Sequence, residues 1–172
     1  MLSRLPFFVS LLLSLTLGSL AHSKANEVIG YWATPESIIV VKEVENTLSM
    51  KVVALLEPYY TEVDPFGPVG TKKRDAGNPD PSMRDRYIVG LELLSGYRRE
   101  KKRWAGKIYD PETAQVYSSF MEVGRKGILK IRGYIGAPFF GRTQNLVPVS
   151  DCNEVVLLML KANKNIPNNC IF

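Results

Sequence analysis

The feature that most constrains this chain is the texture of residues 27–149. Short apolar runs, several alternating with period two, are separated by Gly, Pro, Asn and Asp. Strands are predicted over 28–34, 37–44, 48–56, 87–97, 103–109, 115–123, 128–135 and 141–149, with a helix as the alternative over 87–97. Leu48, Met50, Val52, Ala54 and Leu56 fall on one face, with Ser49, Lys51, Val53 and Leu55 on the other. Asp110-Pro111-Glu112-Thr113 and Gly124-Arg125-Lys126-Gly127 are turn chemistry between neighbours. Segments follow one another at hairpin spacing without βα alternation, which predicts an antiparallel sandwich or an up-and-down barrel. The chain has 172 residues, 45% of them hydrophobic and 23% charged. That suits one globular domain and is too short for an eight-unit βα barrel or a two-domain dehydrogenase.

Residues 1–25 read as a cleaved signal peptide. Arg4 supplies the positive start, residues 5–17 are almost unbroken apolar, and Ser23 and Ala25 are the small residues before the cut. Cleavage after Ala21 and an uncleaved anchor are the alternatives, but the apolar stretch is shorter than the ~20 residues of a bilayer span. Arg4 and Lys24 leave with this segment, so twenty cations against seventeen acids give a mature charge of +3. The only histidine, His22, leaves as well. Ser-His-Asp, Cys-His and imidazole-zinc sites are then excluded, and neither a metal nor a cofactor is expected. The two cysteines, Cys152 and Cys170, read as a disulfide in an exported protein, stabilising by about 3 kcal/mol. The expected location is the periplasm or the cell exterior.

Residues 57–86 form a long stretch rich in Pro and Gly that also holds Tyr59, Tyr60 and Phe66. It reads either as a lid or as a loop packed on the outside. Within it Asp75, Asn78, Asp80 and Asp85 are oxygen ligands on paper, but their spacing is not that of an EF-hand and Pro79 and Pro81 point to rigid turns. Arg98-Arg99-Glu100-Lys101-Lys102-Arg103 reads as a solvated hairpin, or as a contact for anionic lipid or acidic glycan; nucleic acid is not an expected partner. Asp110, Glu112 and Glu122 have no spacing that fixes an acid–base pair. After residue 149, Asp151 and Glu154 have the form of a capping box for a helix over 153–163. Its run Val155, Val156, Leu157, Leu158, Met159, Leu160 must bury itself on the barrel or another chain; a strand is the alternative there.

Gly30-Tyr31-Trp32 on the first strand and Gly141-Arg142-Thr143 at the last resemble the latch of lipocalin-type barrels, with the Arg142 guanidinium over the Trp32 indole. The resemblance is wider. The run 104–117 (WAGKIYDPETAQVY), the run 129–136 (LKIRGYIG), Gly141-Arg142-Thr143-Gln144, the run 75–79 (DAGNP) and the run 90–96 (GLELLSG) are similar to a family of small exported bacterial proteins, domain of unknown function 2147. It spans residues 28–149 and implies a lipocalin-like fold. Two departures are Ala114 where the family has Gly, and Asn145-Leu146 where it has Trp after the G-R-T-Q motif.

The expectation is thus an all-β, antiparallel, up-and-down lipocalin-like (calycin) barrel over 26–149, with a C-terminal extension over 150–172 that carries the disulfide and a short helix. Its ligand lining is expected from Leu48, Met50, Val52, Ala54, Leu56, Trp104, Ile108, Tyr117, Leu129 and Ile131, with Tyr59, Tyr60 and Phe66 as the lid and Gly30, Trp32 and Arg142 as the latch. The expected function is non-enzymatic binding of a small apolar or amphipathic molecule. The alternative is an interaction module with a packed barrel, docking or dimerising through the apolar C-terminal segment. A hydrolase using carboxylates or Tyr is a third, weaker reading.

Overall fold

The computed structural model describes residues 27–163. Eight antiparallel strands make one sheet: β1 (Gly30–Ala33), β2 (Ser37–Val44), β3 (Thr47–Leu55), β4 (Leu94–Glu100), β5 (Arg103–Asp110), β6 (Gln115–Val123), β7 (Leu129–Tyr134) and β8 (Arg142–Pro148). Their order, β3-β2-β1-β8-β7-β6-β5-β4, is a meander folded round so that β1 meets β8. The predicted strands are present, with ends moved by a few residues. The largest change is at 87–97. Only Leu94 onward forms β4, and residues 90–93 instead close the barrel against β3. Leu93 N donates to Met50 O at 2.8 Å and Gly90 N to Val52 O at 2.7 Å. The Glu92 carboxylate adds to that seam by accepting from Met50 N and Ser49 Oγ, each at 2.7 Å. The result is a nearly closed lipocalin-like barrel.

The alternation predicted for β3 holds only in part. Ile39 pairs with Val52 but its neighbour Ile38 pairs with Ala54, so Val53 is an extra residue, a β-bulge. Leu48, Met50 and Val52 face the lumen. Beyond the bulge the parity inverts, and Ala54 joins a second apolar cluster outside the barrel with Ala33, Ile38, Val149, Val156 and Met159. Leu56 packs against that outer cluster too. Ala54 and Leu56 are therefore not lumen residues, because a bulge shifts register by one and a one-residue shift changes the face.

The outer cluster exists to receive α1 (Glu154–Ala162), a helix and not a strand. Val156 and Met159 are its buried residues, and Asn163 hooks its end to β3 by donating to Leu55 O at 2.7 Å. The cap is Asn153, whose side chain accepts from Val156 N at 3.0 Å. Asp151 is not the cap, because residues 149–151 close in a tighter 3₁₀ turn and Cys152 then adopts a left-handed conformation. The predicted signal peptide, His22 and Cys170 lie outside the described residues.

Candidate functional site

The lumen has two unlike halves. At one end lie the β2–β3, β4–β5 and β6–β7 turns. Here Trp32, Met50, Trp104, Met121, Leu129 and Leu146 are all buried in one apolar cluster. Trp32 Nε1 donates to Val28 O at 2.9 Å, which ties the chain entering β1 across this end. A floor separates the halves. Tyr97 reaches from β4 over Gly106 of β5, where an added Cβ would stand 2.5 Å from the Tyr97 ring. Its hydroxyl bonds Ser119 Oγ of β6 at 2.5 Å. Both residues are buried, and burial pushes the Tyr97 phenol well above its usual range.

Past the floor the same inward positions change character. By alternation with Trp104, Met121, Ile131 and Leu146, the next inward residues are Ile108, Tyr117, Gly133, Gln144 and Arg142. Ile108, Tyr117 and Gly133 are only half-buried, and Gln144 and Arg142 are exposed. The wall is also incomplete there. β1 pairs with β8 only at Trp32↔Pro148 and Ala33↔Val147, so residues 142–146 have no partner strand on the β1 side among the described residues. The lip above this opening is the β7–β8 turn. Its Phe139 and Phe140 are 85% and 79% exposed and meet edge to face. Arg132 holds that turn by donating to Pro138 O at 2.8 Å, Phe139 O at 3.1 Å and Thr143 Oγ1 at 2.8 Å. Across the end, the Glu112 carboxyl from the β5–β6 turn is raised above its ordinary pKa by burial first, then by Glu36 of the β1–β2 turn and by Asp110. The inward positions left partly or fully exposed thus lie mainly on β6, β7 and β8.

The ten lining candidates therefore divide. Leu48, Met50, Val52, Trp104, Leu129 and Ile131 face the lumen but are packed against one another in its filled half. Ile108 and Tyr117 border the open half. Ala54 and Leu56 are outside. Sequence reasoning missed Tyr97, Ser119, Gly133 and Gln144; the short inward residues Gly106, Ser119 and Gly133 were the available sign that space opens toward one end. The latch also needs correction. Trp32 pairs with Pro148 at the end of β8, whereas Arg142 begins that strand and pairs with Gly133. The two are about 20 Å apart along the strand, so Arg142 does not cover the indole. Gly30 is at φ +142°, a backbone that other residues seldom adopt.

The 57–86 stretch is an ordered loop with its own centre. Tyr60 is buried, its hydroxyl accepts from Arg74 N at 3.0 Å, and Gly67 lies so close that a Cβ there would strike the ring. Tyr59 is half-exposed in a bridge with Lys72, and Phe66 is exposed. One buried carboxylate pins the loop. Asp75 is 1% exposed and accepts from Tyr109 Oη at 2.6 Å, Arg86 Nη2 at 2.7 Å and Asn78 Nδ2 at 2.8 Å. Tyr109 alternates with the lumen-facing Ile108, so the loop is fastened to the outer wall of β5. Asp80 caps a short turn and Asp85 pairs with Arg74. Among the described residues no group of His, Cys, Asp or Glu is placed to hold a metal ion.

Burial, then the bond to the Asp75 carboxylate, pushes the Tyr109 phenol up to about 12 from 10.0. A phenol raised on folding contributes stability that is whole below its unfolded pKa and lost as pH rises through the folded one. The melting temperature should fall between about pH 10 and 12, and Tyr109→Phe should flatten that fall. An unchanged slope in the variant would contradict the network.

Eight antiparallel strands with a filled end and an open end define a lipocalin-like barrel. A solved structure with the same architecture is described as "Protein HP1028 from the human pathogen Helicobacter pylori belongs to the lipocalin family". It is 23% identical, with a TM-score of 0.57, over 76% of this chain and 88% of that one. The chain itself belongs to the family described as "Uncharacterized protein conserved in bacteria (DUF2147)", which matches residues 30–147. No functionally curated protein matches it.

Proposed function

We propose that this protein is an exported, non-enzymatic binding barrel that takes a small apolar or amphipathic molecule at its open end, above the Tyr97 floor. The observation that carries the reading is the change along the inward face, from fully buried apolar side chains to half-buried Ile108, Tyr117 and Gly133 and exposed Gln144 and Arg142. Apolar walls, the aromatic lip Phe139–Phe140, and two polar groups at the mouth suit a ligand with a hydrophobic body and a polar head. Export rests on the signal-like start of the sequence, and the Cys152–Cys170 bridge on the compartment this implies; the intact mature mass, two hydrogens below the reduced value, tests both.

The test is titration of the mature protein with cis-parinaric acid, a fluorescent amphipathic probe. Gly133 has an unstrained backbone, and a Cβ there would make ordinary contact with Tyr117 at 3.6 Å, so Gly133→Leu should fold and project its side chain into the opening. That variant should bind at least about tenfold more weakly, about 1.4 kcal/mol. Equal affinity in parent and variant would sink the reading. A second reading is favoured by one observation. Val155, Leu157 and Leu158 on the outer side of α1 are exposed, which fits a homodimer or partner contact. A concentration-dependent mass in light scattering, absent in Leu157→Ser/Leu158→Ser, would support it.

A further inference from the structure

The end of the barrel opposite the opening carries a charge pattern of its own. The β4–β5 and β6–β7 hairpins are neighbours there, because β5 pairs with β6 from Trp104↔Met121 onward. Together they present Arg98, Arg99, Lys101, Lys102, Arg103, Arg125, Lys126 and Lys130 against only Glu100 and Glu122, a local net charge of +6. The rest of residues 27–163 has eleven cations and fifteen acids, a net of −4. None of the eight cations forms an ion pair among the described residues; those pairs involve Lys73, Arg74 and Arg86. The β2–β3 turn at the same end carries Glu43 and Glu45, so the basic face is confined to the β4–β7 side.

Three of these cations are held in place by more than chain connectivity. The Arg103 guanidinium lies 4.1 Å from the Phe120 ring centre and that of Arg99 5.7 Å from the Trp104 ring. Lys130 lies along Gly124, where a Cβ would stand 2.9 Å from its Cε. Beside them Glu100, Lys101, Lys102, Arg103 and Glu122 line an open concavity of about 630 Å³.

From this geometry we infer that the β4–β5 and β6–β7 hairpins dock the protein on an anionic phospholipid surface. The charges sit on the turns of two adjacent hairpins, around a wide-open concavity and not inside an enclosed pocket, which suits a plane of phosphates. The aromatic rings nearby are covered by arginines instead of being offered for stacking, as a glycan site would need. Docked this way, the molecule points its opening away from the bilayer. The inference is independent of what the open end binds.

Co-sedimentation of the full mature chain with phosphatidylcholine vesicles, with and without phosphatidylglycerol, tests it. Binding should require phosphatidylglycerol and weaken in high salt. Each cation near the surface contributes about 1 kcal/mol, so each one removed should weaken binding about fivefold. Lys101→Gln/Lys102→Gln/Arg125→Gln/Lys126→Gln should abolish measurable binding while leaving the melting temperature in place. The control Lys51→Gln/Lys72→Gln/Lys107→Gln/Lys161→Gln changes net charge equally and should still bind. Equal loss in both sets, or binding to dextran sulfate without binding to vesicles, would overturn the proposal.

Discussion

Asp75→Ala is expected to be the most damaging single change outside the barrel core, costing about 3 kcal/mol. Breaking a buried ion pair from one side costs about 3–5 kcal/mol, since a buried group is left without its partner. The lower end applies because Arg86 is part-exposed and can return to water, whereas Asp75 is not. Three donors lose their acceptor together: Arg86, Asn78 and Tyr109. That is a large share of a domain's usual stability of about 5–15 kcal/mol. The damage should be local before it is global. Trypsin should cut the variant at Lys72, Lys73, Arg74, Arg84 and Arg86 under conditions in which the parent resists. A Tm within a degree or two of the parent, with the loop still protected, would show that the network holds nothing.

The second large effect concerns the filled half. Leu129→Ala should cost about 2–5 kcal/mol, the lost burial plus the cavity left behind. Leu129 is fully buried among Trp104, Met121 and Leu146, residues of separate strands that cannot collapse onto a smaller side chain. The variant should also gain a property. An apolar cavity stays dry and accepts small apolar molecules, so benzene should raise the Tm of Leu129→Ala and not that of the parent. If the parent is stabilised as strongly, the lower lumen is hollow and the site lies deeper than proposed.

Much of this architecture was legible in the sequence. Period-two runs and turn dipeptides located the strands because both are local properties of the chain. The filled and open halves were not legible, for two physical reasons. Which face of β3 meets the lumen depends on one extra residue, Val53, and nothing in Leu48–Leu56 marks it as the bulge. Whether an inward side chain lines a space or plugs it depends on its neighbours across the barrel. Tyr97 and Gly106 lie on different strands, and only their approach makes the floor. Arg142 fails as a latch for a related reason: the G-R-T-Q motif fixes its place on the last strand, but the β1–β8 register puts that place at the far end. The loop shows the opposite case. Asp75, Asn78 and the prolines read correctly as turn chemistry, but the partner that matters, Tyr109, comes from another strand.

The central claim is that the open half, and not the lower lumen, holds a small molecule. Its most direct test is native mass spectrometry of the protein isolated from the cells that make it, as parent and as Gly133→Leu. The account predicts an adduct of small-molecule mass on the parent, released on denaturation, and bare protein for Gly133→Leu. Bare protein in both, or an adduct that survives in Gly133→Leu, would contradict it.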